Sequence, residues 1–246
     1  MHLIDRNAQT NRFRTVPAVE KLGFALGSFA VALGTHSFYA EGALLVLALV
    51  LIRLAGVPFS DLRVAAQVPI GFILIGCVTQ ATSVSLADWP PHLAWTRGGI
   101  EAATFVGMRS LACVSVLLAL ALTTPISDIL RLMRRSVVGR DIGDIAFVML
   151  KMVWVTLDCL DKGARSQANR LGFVGYRRTV SSLGSLLAAL LPRTLGRARR
   201  MEIGLAARGF EGDLRFVSRE SAVSPARVTA VCLALASIWG LGQVAP

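Results

Sequence analysis

The chain has 246 residues, 54% of them hydrophobic, with a mean hydropathy of +0.61 and a formal net charge of +11. So apolar a composition excludes an ordinary water-soluble domain and points to an all-α integral membrane protein with several spans. Residues 131–219 hold 17 Lys and Arg against 7 Asp and Glu, so +10 of the +11 lies in one segment. That segment is tethered between apolar runs and carries no nucleic-acid motif, which argues against nucleic acid as a partner and for basic cytoplasmic loops.

Taken in chain order, Arg6, Arg12 and Arg14 precede the first apolar run. Ala30-Val31-Ala32 has the small-residue pattern of a signal cleavage site, but the spans that follow favour a retained first helix. Uncharged runs predict spans over 22–40, 42–58, 64–87, 100–122 and 228–245, with Arg53 snorkelling to a surface and the fourth span firmly apolar after Arg109. The expected organisation is a four-span bundle over 1–122, a cytoplasmic helical coupling region over 123–225 and a last span over 226–246. The His36–Glu41 loop lacks Lys and Arg, the 53–63 turn has Arg53 and Arg63, and the Asp88–Arg97 loop has one Arg and two tryptophans suited to an interfacial belt. This alternation places the N-terminus and 123–225 in the cytoplasm and the C-terminus outside.

Residues 142–160 are apolar but interrupted by Asp144, Lys151 and Asp158, with basic flanks. They predict a long amphipathic helix lying along or dipping into the cytoplasmic face of the membrane, with Val153, Leu157, Leu160, Ala164, Ala168 and Leu171 at helical spacing on one face. Leu186–Leu191 is too short to span. Gly23 with Gly27, and Ala103 with Gly107, keep the four-residue spacing that lets helices approach closely, either inside the bundle or against another membrane subunit.

Chemistry-bearing motifs are scarce. Cys77, Cys113, Cys159 and Cys232 are far apart and read as small core residues. There is no G-x-x-x-x-G-K-[ST], H-E-x-x-H or G-x-S-x-G. His2, His36 and His92 build no metal cluster, and only Met1-His2 offers an amine and imidazole together. Asp158-Cys-Leu-Asp161-Lys-Gly163-Ala-Arg165 resembles the opening of the CDP-alcohol phosphatidyltransferase signature. The later glycine spacing and the last two aspartates are missing, and half a metal site cannot neutralise a diphosphate. An Asp161–Arg165 i,i+4 pair is the plainer expectation. No catalytic residue and no metal ligand are expected in this chain.

Two arginine motifs remain, Ala164-Arg165-Ser166 and Ala207-Arg208-Gly209. Each sets an arginine between small residues on an expected helix, so a partner's surface can come close and the guanidinium can bond carboxylates or carbonyls in a groove. Arg197, Met201, Gly204, Leu205 and Arg208 fall on one face of the second helix. A basic face resting beside anionic lipid is the competing reading.

These motifs resemble the transmembrane T components of energy-coupling factor transporters, in their cobalt-type (CbiQ) subgroup. The resemblance covers nearly the whole length. Asp5-Arg6-Asn7-Ala8, Thr10-Asn11-Arg12 and Glu20-Lys21-Leu22 are similar to that subgroup's N-terminal signature, and Thr123-Thr124-Pro125 with Asp128 to the step from span to coupling region. Ala164-Arg165-Ser166 and Ala207-Arg208-Gly209-Phe210 are similar to the two coupling motifs, the latter within Arg199–Gly212. Lys151-Met152-Val153-Trp154 stands where the family often has an aromatic-Arg-Tyr element. The resemblance implies a non-catalytic scaffold in a bacterial cytoplasmic membrane, joining two cytoplasmic ATPase subunits to a substrate-capture membrane subunit. Arg165 and Arg208 would each enter a groove on one ATPase. ATP would sit on those ATPases and Co²⁺ on the capture subunit, with no cofactor on this chain; nickel is the alternative cargo.

Overall fold

In the computed structural model the described residues are 3–85, 92–95, 97–134, 140–209 and 223–244. Met1-His2, most of the tryptophan-bearing 86–96 loop and Phe210–Gly212 lie outside them or have undescribed side chains, as does the side chain of Asp5. The framework is helical: α1 Leu3–Thr10, a 3-10 turn Arg12–Thr15, α2 Ala18–Gly34, α3 Phe38–Leu54, α4 Phe59–Ala81, α5 Arg97–Thr123, α6 Ile126–Arg134, α7 Arg140–Asn169, α8 Tyr176–Ala206 and α9 Pro225–Val244. Between α4 and α5 a short antiparallel hairpin pairs β1, Thr82–Ser85, with β2, His92–Trp95; the loop reading did not anticipate it. The chain divides into two compact units, 1–129 with 219–246, and 130–218.

Three helices of the first unit are long and apolar enough to cross a membrane: Phe59–Ala81, Gly98–Thr123 and Pro225–Gln243. They correspond to the expected third, fourth and last spans, displaced by a few residues. The first two expected spans are redrawn. The 22–40 run breaks at Thr35–Ser37, so α2 and α3 have 17 residues each and rise about 25 Å, somewhat short of the roughly 30 Å hydrocarbon layer.

The core of this unit is built around α5, which packs on α1, α2, α3 and α4, while α9 packs on α2 and α3. Alanines hold the contacts close: Ala32, Ala40 and Ala112 sit with Val31, Leu44 and Ile238, and Ala25 and Ala48 with Val116. The small-residue spacing serves this internal packing. A Cβ added at Gly27 would lie 2.7 Å from Leu235 Cδ1 of α9, and one at Gly107 2.7 Å from Cys77 Sγ of α4. Gly23, by contrast, has open space around it.

Arg109 faces into this bundle. Its Nε lies 3.0 Å from Oε1 of Glu41, a residue with no exposed surface, and an Nη donates to the carbonyl of Thr35. The guanidinium also stands 4.6 Å from the Phe105 ring centre, and Phe105 stacks on His36. One arginine on α5 therefore holds both the α2–α3 break and the first turn of α3. The isolated Arg53, in contrast, is exposed as expected of a snorkelling side chain.

Arg109→Leu would strand a buried carboxylate and is expected to cost about 3–5 kcal/mol, whereas Arg109→Leu combined with Glu41→Leu removes both charges and costs clearly less. Thermal unfolding of the solubilised chain measures both; equal losses would show that the pair is not what holds α3 to α5.

Candidate functional site

The second unit is an antiparallel helical hairpin. Its 30-residue α7 and 31-residue α8 are joined at 170–175. Leu171 (φ 58°) and Gly175 (φ 81°) adopt left-handed backbone in that turn. Ser182 Oγ donates to the Gly172 carbonyl at 2.8 Å and ties the start of α8 back to the turn. The helices meet closely at Gly163, where an added Cβ would lie 2.6 Å from Leu186 Cδ2. Farther from the turn, Val148 and Met152 of α7 line a shallow groove with Ala198, Met201 and Leu205 of α8. The unit also holds Arg134 of α6, whose Nε lies 2.8 Å from Asp144 Oδ1 of α7.

The 142–160 run lies entirely within α7, whose regularly spaced charges keep it out of the set of membrane-crossing helices among the described residues. Leu186–Leu191 is an interior stretch of α8, not a separate element. Of the face expected on α7, Leu157, Leu160 and Ala164 are partly buried, Val153 is about half exposed, Ala168 is exposed, and Leu171 lies past the helix end in the turn. Val148 and Met152 line the groove with α8, and Gly163 is where Leu186 of α8 comes close.

Arg165 and Ser166 are exposed on α7 and Ala164 is half-buried. The i,i+4 ion pair here is Lys162 Nζ with Asp158 Oδ2 at 2.6 Å, not Asp161 with Arg165. The Lys162 hydrogen bond holds the Asp158 carboxyl below the usual carboxylate range, with the charges of Lys162, Arg165 and Arg197 acting in the same direction. The charge of Arg197 on α8 thus acts on the carboxylate that Arg165 also feels. Arg165 is left beside a carboxylate already satisfied by lysine, with its side chain exposed.

Ala207, Arg208 and Gly209 are exposed too, but beyond the helix rather than on it. Ala207 caps α8, its N–H donating to the Ile203 carbonyl, and Gly209 takes φ 71°, the left-handed close of a helix C-terminus. Of the face expected on α8, Met201 and Leu205 line the groove, and Arg197, Gly204 and Arg208 are exposed. The approach of Leu186 to Gly163, and of the Met201–Leu205 turn to Met152, puts Arg165 nearer the hairpin turn and Arg208 at the far end. By helix rise they are separated by on the order of 25 Å.

In the first unit the N-terminal signature forms a polar knot. Asp61, in the first turn of α4, accepts from Asn7 Nδ2 at 2.8 Å and from Arg6 at 3.1 Å. Asn11 Nδ2 lies within 3.2 Å of the Leu122 and Thr123 carbonyls at the end of α5, and Lys21 Nζ donates to the same Thr123 carbonyl at 2.7 Å. Glu20 accepts from the Ser224 N–H and is gripped by Arg227, Nε to Oε2 at 3.0 Å. The last carbonyls of α5 need outside donors because Pro125, which lacks an N–H, follows one residue after Thr124. The signature residues supply those donors at the point where the chain leaves the bundle.

The model of the cobalt transport protein family CbiQ matches residues 9–217, which takes in Asn11, Lys21 and Thr123 of this knot and both arginine motifs. The chain belongs to that family. It is similar to the cobalt transport protein CbiQ of Rhodobacter capsulatus, with 34% identity over 97% of each chain. It is also similar to the cobalt transport protein CbiQ of Salmonella typhimurium, 26% identical over 59% of this chain and 69% of that one. A putative fused cobalt transport protein CbiMQ of Methanocorpusculum labreanum is 23% identical over 98% of this chain but only 42% of its own length. Membership identifies a membrane component of cobalt transport.

Gly163→Val would overpack the hairpin crossing and is expected to lower stability by about 1–3 kcal/mol, with Leu186→Ala in the same chain restoring part of the loss. Thermal unfolding of the four proteins reads this; no recovery in the double variant would place the crossing elsewhere.

Proposed function

We propose that this chain is the energy-coupling membrane subunit of an ATP-driven cobalt importer of the energy-coupling factor type. In this reading it performs no catalysis. Two cytoplasmic ATPase subunits hydrolyse ATP, a second membrane subunit captures Co²⁺, and this chain transmits motion between them. It lies in a bacterial cytoplasmic membrane, crossing about five times, with its N-terminus and the α7–α8 hairpin in the cytoplasm.

The observation that carries the proposal is the arrangement of Arg165 and Arg208. Both are exposed, both stand beside small residues, and they occupy well-separated stations on one hairpin. Arginines that far apart cannot share a groove on one small surface, but each can enter a groove on its own partner. Two identical ATPases side by side would offer such a pair of grooves. When ATP draws them together, the two anchors are drawn too, and a hairpin locked at Gly163 and Ser182 carries the displacement as one body. The knot at the end of α5 then supplies a firm attachment for the chain that enters the coupling region. The fused relative supports a second transport component working beside a chain of this kind, since more than half of its length lies outside the match.

The full-length chain, solubilised and mixed with its candidate ATPase, tests the reading. Arg165→Glu and Arg208→Glu are each expected to weaken retention by about 2 kcal/mol or more, roughly thirtyfold, as for arginines at the centre of an interface. The double variant is expected to lose the ATPase while still inserting in the membrane. Retention equal to wild type in the double variant would overturn the assignment of both anchors.

A further inference from the structure

Val180, Leu183, Leu187, Leu191 and Leu195 recur at steps of three and four residues along α8, which places them in one stripe. All five are exposed, at 52%, 47%, 62%, 66% and 54%. The stripe is about 22 Å long, taking 1.5 Å per residue. It differs from the contact with α7, which near the turn runs through Ser182 and Leu186, both buried. A row of branched aliphatic side chains this exposed is costly in water and marks a surface that something apolar covers.

The charges on the same helix say what covers it. α8 contains six arginines and one carboxylate, Glu202, and no acidic residue occurs between Arg165 and Met201. Arg177, Arg178, Arg193 and Arg199 are exposed, and Arg177 and Arg199 lie at the two ends of the stripe. An aliphatic stripe with Arg177 and Arg199 at its two ends and further arginines on the rest of the helix suits the boundary between acyl chains and anionic headgroups. A protein partner buried on this face would need a matching set of carboxylates. A leaflet rich in acidic phospholipid supplies phosphates without any such match, and guanidinium groups bind them in bidentate fashion.

We propose that α8 lies in the headgroup layer of an anionic leaflet, with the Val180–Leu195 stripe among the upper acyl carbons and its flanking arginines on lipid phosphates. The proposal does not depend on the ATPase reading. It assigns the hairpin a second surface besides Arg165 and Arg208, and makes the lipid charge a determinant of how the hairpin is held.

The test uses the full-length chain in vesicles, its four native cysteines replaced and a spin label attached at Leu187→Cys or at Ser185→Cys; the two positions are 200° apart on a helix, hence on opposite faces. In vesicles of phosphatidylcholine with phosphatidylglycerol, the label at 187 is expected to collide with membrane-dissolved oxygen and to be shielded from an aqueous paramagnetic reagent. The label at 185 is expected to show the reverse. Leu191→Cys gives a second position if Leu187→Cys fails to insert. Access of the aqueous reagent to 187 would overturn the proposal, as would shielding from both reagents, the sign of a protein cover. In phosphatidylcholine alone the oxygen contact should fall. Contact unchanged in neutral vesicles would overturn the role given to the arginines. None of these readouts involves an ATPase, so failure here and failure of the transporter reading remain separable.

Discussion

Glu41 is a carboxylate with no exposed surface in an apolar bundle, and the guanidinium of Arg109 makes it tolerable. Its second oxygen, Oε2, has no hydrogen-bond donor among the described residues, so the ion pair carries nearly all of the compensation. Burial of this kind contributes little net stability, because desolvation offsets the attraction, but it penalises every arrangement in which the two groups are apart. Since Arg109 also takes the Thr35 carbonyl, the same contact fixes where α2 ends and α3 begins. The bundle is thereby held in one register around α5, and the alanine-rich contacts of α2, α3 and α9 follow from it.

From that fixed bundle the chain has to leave for its basic second unit, and the exit is reinforced. Three side chains from before and within the start of α2, Asn11, Glu20 and Lys21, reach the end of α5 and the start of α9. Segments far apart in sequence are brought to one end of the bundle by hydrogen bonds to backbone groups that would otherwise be left over at helix ends. The hairpin that follows is stiffened differently, by the absence of a side chain at Gly163 and by a serine hydroxyl on the turn. In the proposed reading, such a body passes on a displacement applied at Arg165 and Arg208 instead of absorbing it by bending.

Much of this was legible in the sequence. The uncharged runs located α4, α5 and α9 because length and apolarity alone decide whether a helix can cross a bilayer. The interrupting charges marked α7 as amphipathic for the same reason. What was missed depends on contacts distant in sequence. The break at Thr35–Ser37 sits inside an uncharged run, and an arginine 74 residues away bonds the Thr35 carbonyl there. Asp158–Lys162 and Asp161–Arg165 have the same spacing, and nothing local separates them; in the fold Arg197 of α8 adds its charge to the field at Asp158. The periodicity of α7 marked Leu157, Leu160 and Ala164, which are partly buried, but not the approach of α8 at Gly163, a residue that carries no hydropathy signal. Arg109 and Glu41 were visible as lone charges in or beside apolar runs, and in a membrane such charges find each other. The arginine motifs stood out as arginines set between small residues, but their reading as coupling motifs came from resemblance to a family, a signal that composition and spacing do not contain.

If this chain turns ATP-driven motion of its partners into metal import, as proposed, transport depends on Arg165 and Arg208. Uptake of radiolabelled cobalt into cells expressing the complete transporter tests it most directly, with wild type compared to the Arg165→Glu, Arg208→Glu double variant at matched membrane levels. The account predicts that uptake falls to the level of cells lacking the chain. Uptake equal to wild type in the double variant would contradict it.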